Sequence, residues 1–305
     1  MDQNAHRSGV VAIIGPPNAG KSTLLNHLLQ QKIAIVTPRP QTTRNRIMGI
    51  VTAPGYQMIL LDTPGLHQPR EEMNRQMVRV AMESLTDADV ALFLADSADR
   101  APARLERRRE EYRGYLGGIR CPVVLALNKI DLVPPEQLLP VIEWYRQLHD
   151  FAAIVPISAL AGTSVDLLTA ELVARLPEGP QYYPDDLPTD ATERFIAAEI
   201  IREKIFLLTR DEVPYSTAVL IDAFEEAEEG RPVGIRATIL VERDSQKGIL
   251  IGQGGRMLAA VRTSAAADIG RLLDCRVRLN LFVKVSRNWT GKKSVLRDLG
   301  LACFC

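Results

Sequence analysis

The sequence predicts an α/β protein: a mostly parallel, doubly wound sheet in the first 176 residues, followed by a smaller α+β domain of order αββααβ. Three observations predict this. Short apolar runs alternate with amphipathic segments up to residue 176, prolines then crowd a polar, acidic stretch, and beyond it the element order changes. At 305 residues the chain is twice the typical domain of about 150, so two domains are expected.

In the first part, residues 9–14, 58–61, 90–94, 123–127 and 154–157 read as buried strands bounded by Gly, Pro and Asp. Residues 21–30, 71–85, 105–116, 136–148 and 165–176 read as helices between them. Ligands of such a sheet sit at the carboxyl ends of its strands. Pro177, Gly179, Pro180, Pro184 and Pro188 mark residues 177–192 as a linker. Proline disfavours helix and lacks the N–H a sheet needs, so an extended, semi-rigid spacer is expected there. After it come a helix at 193–208, strands at 216–223 and 233–241, helices at 245–251 and 257–273, and a strand at 277–285. The expected domains are therefore 8–176 and 193–305.

Composition sets the class. The apolar fraction is 46% and the charged fraction 24%, close to soluble globular averages and far from a disordered or membrane-spanning chain. The net charge is zero, yet residues 231–305 carry 14 Lys plus Arg against 5 Asp plus Glu. A basic end on an acidic body suits a polyanionic partner, although a solvated charged face would look the same. Cys121, Cys275, Cys303 and Cys305 form no CxxC pair, which fits a reducing compartment and a cytoplasmic protein. The terminal Cys-Phe-Cys lacks the prenylation pattern, because Ala302 is fourth from the end.

Gly15-Pro16-Pro17-Asn18-Ala19-Gly20-Lys21-Ser22 follows an apolar strand and opens a helix, the context a phosphate-binding loop requires. Gly15, Ala19, Gly20 and Thr23 place backbone N–H groups at a helix N-terminus facing the phosphates. Lys21 reaches the β and γ phosphates, and Ser22 takes a position on Mg²⁺. Asp62-Thr63-Pro64-Gly65 follows the strand at 58–61, offering a carboxylate to Mg²⁺ and the Gly65 N–H to the γ phosphate. Asn128-Lys129-Ile130-Asp131 and Ser158-Ala159-Leu160 follow the next two strands. Asp131 accepts from both N1–H and the 2-amino group of guanine, which adenine cannot offer. Asn128 is expected to tie loops together, Lys129 to pack over the base, and the Ala159 N–H to meet the guanine oxygen. The expected ligands are GTP and GDP.

These ordered motifs resemble the TrmE-Era-EngA branch of translation-factor-like GTPases, and GPPNAGKS with DTPGLH is most similar to the Era family. The resemblance implies a Ras-like fold. It also implies that Gln41-Thr42-Thr43-Arg44 is switch I, with Thr43, or failing it Thr42, binding Mg²⁺ in the GTP state. Ras-like enzymes usually place a water-holding glutamine where this chain has Leu66. The branch suggests a substitute: Asn18 helping to hold K⁺ beside the phosphates. The alternative is that Asn18 only caps the loop. His67 tempts a general-base role, but phosphoryl transfer demands positioning more than proton abstraction.

In the second part, Ile251-Gly252-Gln253-Gly254-Gly255 lies between two helices of the αββααβ order and matches a type II KH domain, in which such a loop admits a nucleic-acid backbone. A glycine-capped helix–helix turn is the plain alternative. Arg202-Glu203-Lys204, Glu212-Val213-Pro214-Tyr215-Ser216 and Val241-Glu242-Arg243 extend the resemblance over residues 8–301. It implies binding to the 3′ end of small-subunit ribosomal RNA, a part in 30S subunit assembly, a monomer, and peripheral contact with the inner face of the cell membrane. Era-like loops commonly carry lysines within and after GxxG. Here the RNA contacts expected are Lys247, Gly252, Gln253, Gly254, Gly255 and Arg256, with Arg262 farther along. Trp289 and Phe304 could stack on bases, but packing is the plainer reading.

Overall fold

The computed structural model describes residues 6–66, 72–99, 102–225 and 232–301. His67, Cys303, Phe304 and Cys305 lie outside the described residues. The chain divides into two compact units, the first of residues 1–33, 43–68 and 78–190, the second of 34–42, 69–77 and 191–305.

The first unit is built on a six-stranded sheet ordered β2-β3-β1-β4-β5-β6. Strands β1 (Arg7–Ile14), β3 (Tyr56–Asp62), β4 (Val90–Asp96), β5 (Val123–Asn128) and β6 (Ala153–Pro156) run parallel, with crossover helices between them. Val90 to Ala95 are inaccessible, as strands covered on both faces should be. Helices α1 (Lys21–Leu29), α2 (Glu72–Glu83, of which residues 78–83 belong to this unit), α3 (Pro102–Gly117), α4 (Leu138–Arg146) and α5 (Val165–Val173) follow the expected order. On one side Phe93, Tyr112 of α3 and Tyr145 of α4 share a core, with the Phe93 and Tyr112 ring centroids 5.4 Å apart and edge-on.

Two features depart from the sequence expectation. An additional strand, β2 (Ile47–Ala53), pairs antiparallel with β3 through a turn in which Gly55 has φ 91°. Its period is broken by Gly49, where an added Cβ would lie 2.6 Å from Leu25 Cδ1, so the glycine marks close helix approach. The proline segment contains a turn, in which the Leu187 N–H donates to the Pro184 carbonyl at 3.3 Å, and it is no free spacer. The Pro188 carbonyl accepts from the Ile50 N–H at 2.8 Å, Thr189 Oγ1 donates to the Met48 carbonyl at 2.5 Å, and Gln57 Oε1 accepts from the N–H groups of Tyr182 and Tyr183. Proline cannot donate to a ladder, yet its carbonyl can accept from an edge strand. Residues up to 190 therefore belong to the first unit.

The second unit has helix α6 (Glu193–Leu208), strands β7 (Ala218–Glu225) and β8 (Val233–Val241), helices α7 (Asp244–Ile251) and α8 (Arg256–Leu272), strand β9 (Val277–Val285) and a short α9 (Lys293–Asp298). This is the αββααβ order with one helix added. The sheet is ordered β7-β8-β9, antiparallel then parallel. Thr192 caps α6, its side chain accepting from the Phe195 N–H at 3.2 Å. Strand β7 begins two residues later than expected, because Ser216 Oγ and Thr217 Oγ1 donate to the Glu212 and Pro214 carbonyls in a turn. Among the described residues, no helix is long and apolar enough to cross a membrane.

Candidate functional site

The four predicted nucleotide motifs meet at the carboxyl ends of parallel strands of the first unit. The phosphate loop follows β1, and its glycines are sterically required. Gly15 has φ 141°, and a Cβ there would lie 2.1 Å from the Leu94 carbonyl oxygen. Lys21 is buried, and its ammonium donates to the carbonyls of Gly15 and Pro16, both at 3.0 Å. Burial pulls its pKa down to about 8, against the attraction of Asp62. Asn18 sits at the exposed tip with φ 62°.

Ser22, Thr43 and Asp62 converge. Ser22 Oγ lies 2.8 Å from Thr43 Oγ1 and donates to Asp62 Oδ2 at 2.6 Å, with Thr43 Oγ1 3.5 Å from the same oxygen. Burial pushes the Asp62 carboxyl up to about 6, although Lys21 and the hydroxyls oppose the shift. Its Oδ1 is buried without a hydrogen-bond partner among the described residues. A fully buried carboxylate with one orphaned oxygen beside two hydroxyls is a hard-cation donor set, and it fits Mg²⁺. Thr42 takes no part in it, since its hydroxyl is engaged with Thr37 and the Arg39 carbonyl.

Gly65 presses on the loop: a Cβ there would lie 2.8 Å from Pro17 Cα and N. Next to it, Leu66 donates its N–H to the Gly15 carbonyl at 3.0 Å and buries its side chain in the core with Phe93. It cannot hold a water beside a phosphate.

On the other side of the loop, Asn128 Nδ2 donates to the Ala19 carbonyl at 2.7 Å and its Oδ1 accepts from the Ala159 N–H at 2.8 Å. The expected tie between loops is thus a single buried amide bridging two motifs. It also engages the N–H expected to meet the guanine oxygen, which guanine would have to share. Lys129, at φ 67°, pairs with Asp96 at the end of β4, 2.6 Å away. Asp131 follows on a 3₁₀ turn, exposed and without a hydrogen bond or ion pair among the described residues, so its carboxylate is open to a ligand. Ser158 is buried, accepting from the Ala161 N–H at 3.1 Å, and Leu160 projects into solvent.

Residues to which the sequence assigns no role at this site also matter. Asp96 ends an apolar run that carries no motif. Arg202 donates to the Thr42 carbonyl, and Glu203 Oε1 accepts from the Val36 N–H at 3.1 Å, so α6 holds the segment leading into Thr43. The Arg202-Glu203-Lys204 triplet signals this helix in sequence but not its contacts.

In the second unit the GxxG loop joins α7 to α8. Gly252, Gly254 and Gly255 have φ 71°, 59° and 78°. A Cβ at Gly252 would meet Met257 at 2.7 Å, whereas Gly254 and Gly255 face open space. The first glycine is needed for the fold, and the other two leave a bare backbone. Gln253 and Arg256 are exposed, Lys247 is half-buried, and neither cation makes an ion pair among the described residues. Trp289 is fully buried, donating Nε1–H to the Ser216 carbonyl at 2.8 Å, and is a core residue unable to stack on a base.

The chain is similar to known proteins over its full length. Residues 10–129 match the family of 50S ribosome-binding GTPases, and residues 212–290 match the KH domain. The chain is similar to the GTPase Era of Geobacter metallireducens, with 50% identity covering 98% of this chain and 99% of that one. It is 46% identical to that of Lacticaseibacillus paracasei over 97% of each. Among solved structures, a variant of Aquifex aeolicus Era bound to GDP and aluminium fluoride superposes with a TM-score of 0.92 at 38% identity, covering 97% of this chain and all of that one. Era in complex with MgGDPNP and nucleotides 1506–1542 of 16S ribosomal RNA also gives 0.92 at 38% identity, covering 98% of this chain and all of the other.

Proposed function

The chain belongs to the Era family of GTPases, and from that premise we propose that it is a GTP-hydrolysing switch that binds small-subunit ribosomal RNA near its 3′ end through its KH domain and acts in 30S subunit assembly. The observation that carries the proposal is the Ser22, Thr43 and Asp62 oxygen set, with its orphaned buried carboxylate oxygen, beside Lys21. Ser22, Thr43 and Asp62 hold Mg²⁺, which neutralises charge on the β and γ phosphate oxygens when bound. Gly15, Asn18, Ala19, Gly20 and Thr23 surround the phosphates, and Lys21 exchanges the loop carbonyls for them. The Gly65 N–H meets the γ phosphate. Asn128, Lys129, Asp131, Ser158, Ala159 and Leu160 form the guanine pocket. Lys247, Gly252, Gln253, Gly254, Gly255 and Arg256 form the RNA contact, where exposed glycines let a backbone approach and the two cations meet phosphates.

The finer proposal concerns rate. With Leu66 buried, the chain has no side chain at the position that usually orders water, and basal hydrolysis is slow. Asn18 would help to hold a K⁺ ion, which would offset charge developing on the phosphates. One single-turnover experiment tests both halves. Hydrolysis is expected to run several-fold faster in KCl than in NaCl at equal ionic strength, and to change further when an oligonucleotide of the rRNA 3′ end is added. Equal rates in the two salts remove K⁺ from the mechanism. Indifference to the oligonucleotide would support instead an RNA attachment module with vestigial hydrolysis. The same reading includes a monomeric, cytoplasmic protein, to which the basic residues 231–305 would supply peripheral attraction to an anionic membrane.

A further inference from the structure

We propose that the outward face of β9 is a second RNA surface: a stacking platform centred on Phe282, for bases beyond those held at the GxxG loop. The proposal rests on the reading of this domain as RNA-binding. Its basis is the alternation of β9, where Leu279 is buried while Arg278, Asn280, Phe282 and Lys284 are exposed on the opposite face. Phe282 is 60% exposed, an unusual setting for a phenyl ring in a sheet.

Register fixes what surrounds the ring. Thr238 of β8 pairs with Phe282, Arg236 with Asn280 and Gly234 with Arg278. Arg236 is exposed, and over Gly234 lies the Glu225 side chain of β7, whose Oε2 would be 2.8 Å from a Cβ at that glycine. The same face is closed at its other end, where Ala218 and Leu240 are buried with Trp289, Leu296 and Leu301. Phe282 thus lies where the covered half of the face gives way to the open half.

Charge selects the occupant. Residues 276–297 contain seven Lys and Arg and no Asp or Glu. Arg236, Arg278 and Lys284 make no ion pair among the described residues. Two acids of β7 border this face: Asp222 accepts from Thr238 Oγ1 at 2.8 Å, and Glu225 reaches over Gly234, leaving the β9 edge itself to the cations. A single exposed ring among unpaired cations and an amide offers no groove for an apolar helix. It does offer a π face for any base, an amide for base edges and guanidinium groups for phosphates. Strand β9 is the sheet edge that packs beside α7 and α8, the helices flanking the GxxG loop. A strand leaving that loop can therefore pass around the edge of β9 onto this face.

The test uses the full chain and two single-stranded RNAs, one of about four nucleotides, matching a GxxG groove, and one of about twelve, long enough to span both surfaces. Wild-type affinity is expected to rise with length. Phe282→Ala should lower affinity for the longer RNA about tenfold and leave the shorter one and basal GTP hydrolysis unchanged. Phe282→Tyr should retain full affinity, while Arg278→Gln should flatten the salt dependence by about 0.7 in log–log slope. Unchanged affinity for the longer RNA in Phe282→Ala, an equal loss for both lengths, or no gain with length in the wild type would overturn the platform. Wild-type protein that binds neither RNA would instead overturn the RNA-binding reading on which the platform rests.

Discussion

Asp131→Asn is expected to turn a protein that prefers guanosine triphosphate into one that prefers xanthosine triphosphate. Asp131 is exposed on its 3₁₀ turn and has no partner among the described residues, so its carboxylate is open to a group outside the chain. Guanine presents two donors on one edge, N1–H and the 2-amino group, and a carboxylate accepts both. Xanthine carries an oxygen in place of the amino group, which the asparagine amide can donate to. A polar pocket that leaves a partner unpaired rejects the wrong base by about 10⁴-fold. Affinities for the two nucleotides measured by competition should cross between wild type and variant. An unaltered preference would remove Asp131 from the site.

Gly20→Ala should weaken both GTP and GDP by at least about 100-fold and lower the melting temperature of the nucleotide-free protein. Gly20 has φ 99°, where a side chain is strained by about 1–3 kcal/mol. Its new Cβ would sit 2.2 Å from Asn128 Nδ2. Asn128 is almost inaccessible and cannot step aside without releasing the Ala19 carbonyl and the Ala159 N–H. Each of these buried groups left unpaired costs about 1–3 kcal/mol. Calorimetric titration with GDP and a thermal melt check the two halves together. Wild-type values in both would show that the amide bridge is not needed.

The sequence made the nucleotide half legible because phosphate, metal and base each demand particular atoms at strand ends, so Lys21, Ser22, Asp62 and Asp131 announce themselves through short motifs. The αββααβ order was equally readable from its apolar periods and from Gly252, Gly254 and Gly255. What stayed hidden depends on pairings that no local pattern encodes. Asp96 becomes meaningful only when β4 is laid beside β5 and Lys129 reaches across. The tie from Asn128 to Ala159 needs β5 beside β6. Strand β2 was missed because Gly49, required by the approach of Leu25 on α1, interrupts the alternation that marks a strand. The exposure of Phe282 is invisible in a run where leucine and valine surround it on both sides.

The proline segment carries one more consequence, for anyone who divides this chain. Pro188 and Thr189 occupy the Ile50 N–H and the Met48 carbonyl on the outer edge of β2. A fragment ending at Leu176, where the last helical pattern stops, would bare that row of backbone groups and leave Gln57 without Tyr182 and Tyr183. Open strand edges recruit other chains. Such a fragment is expected to self-associate in solution, whereas one carried through Asp190 brings its own edge guard with it.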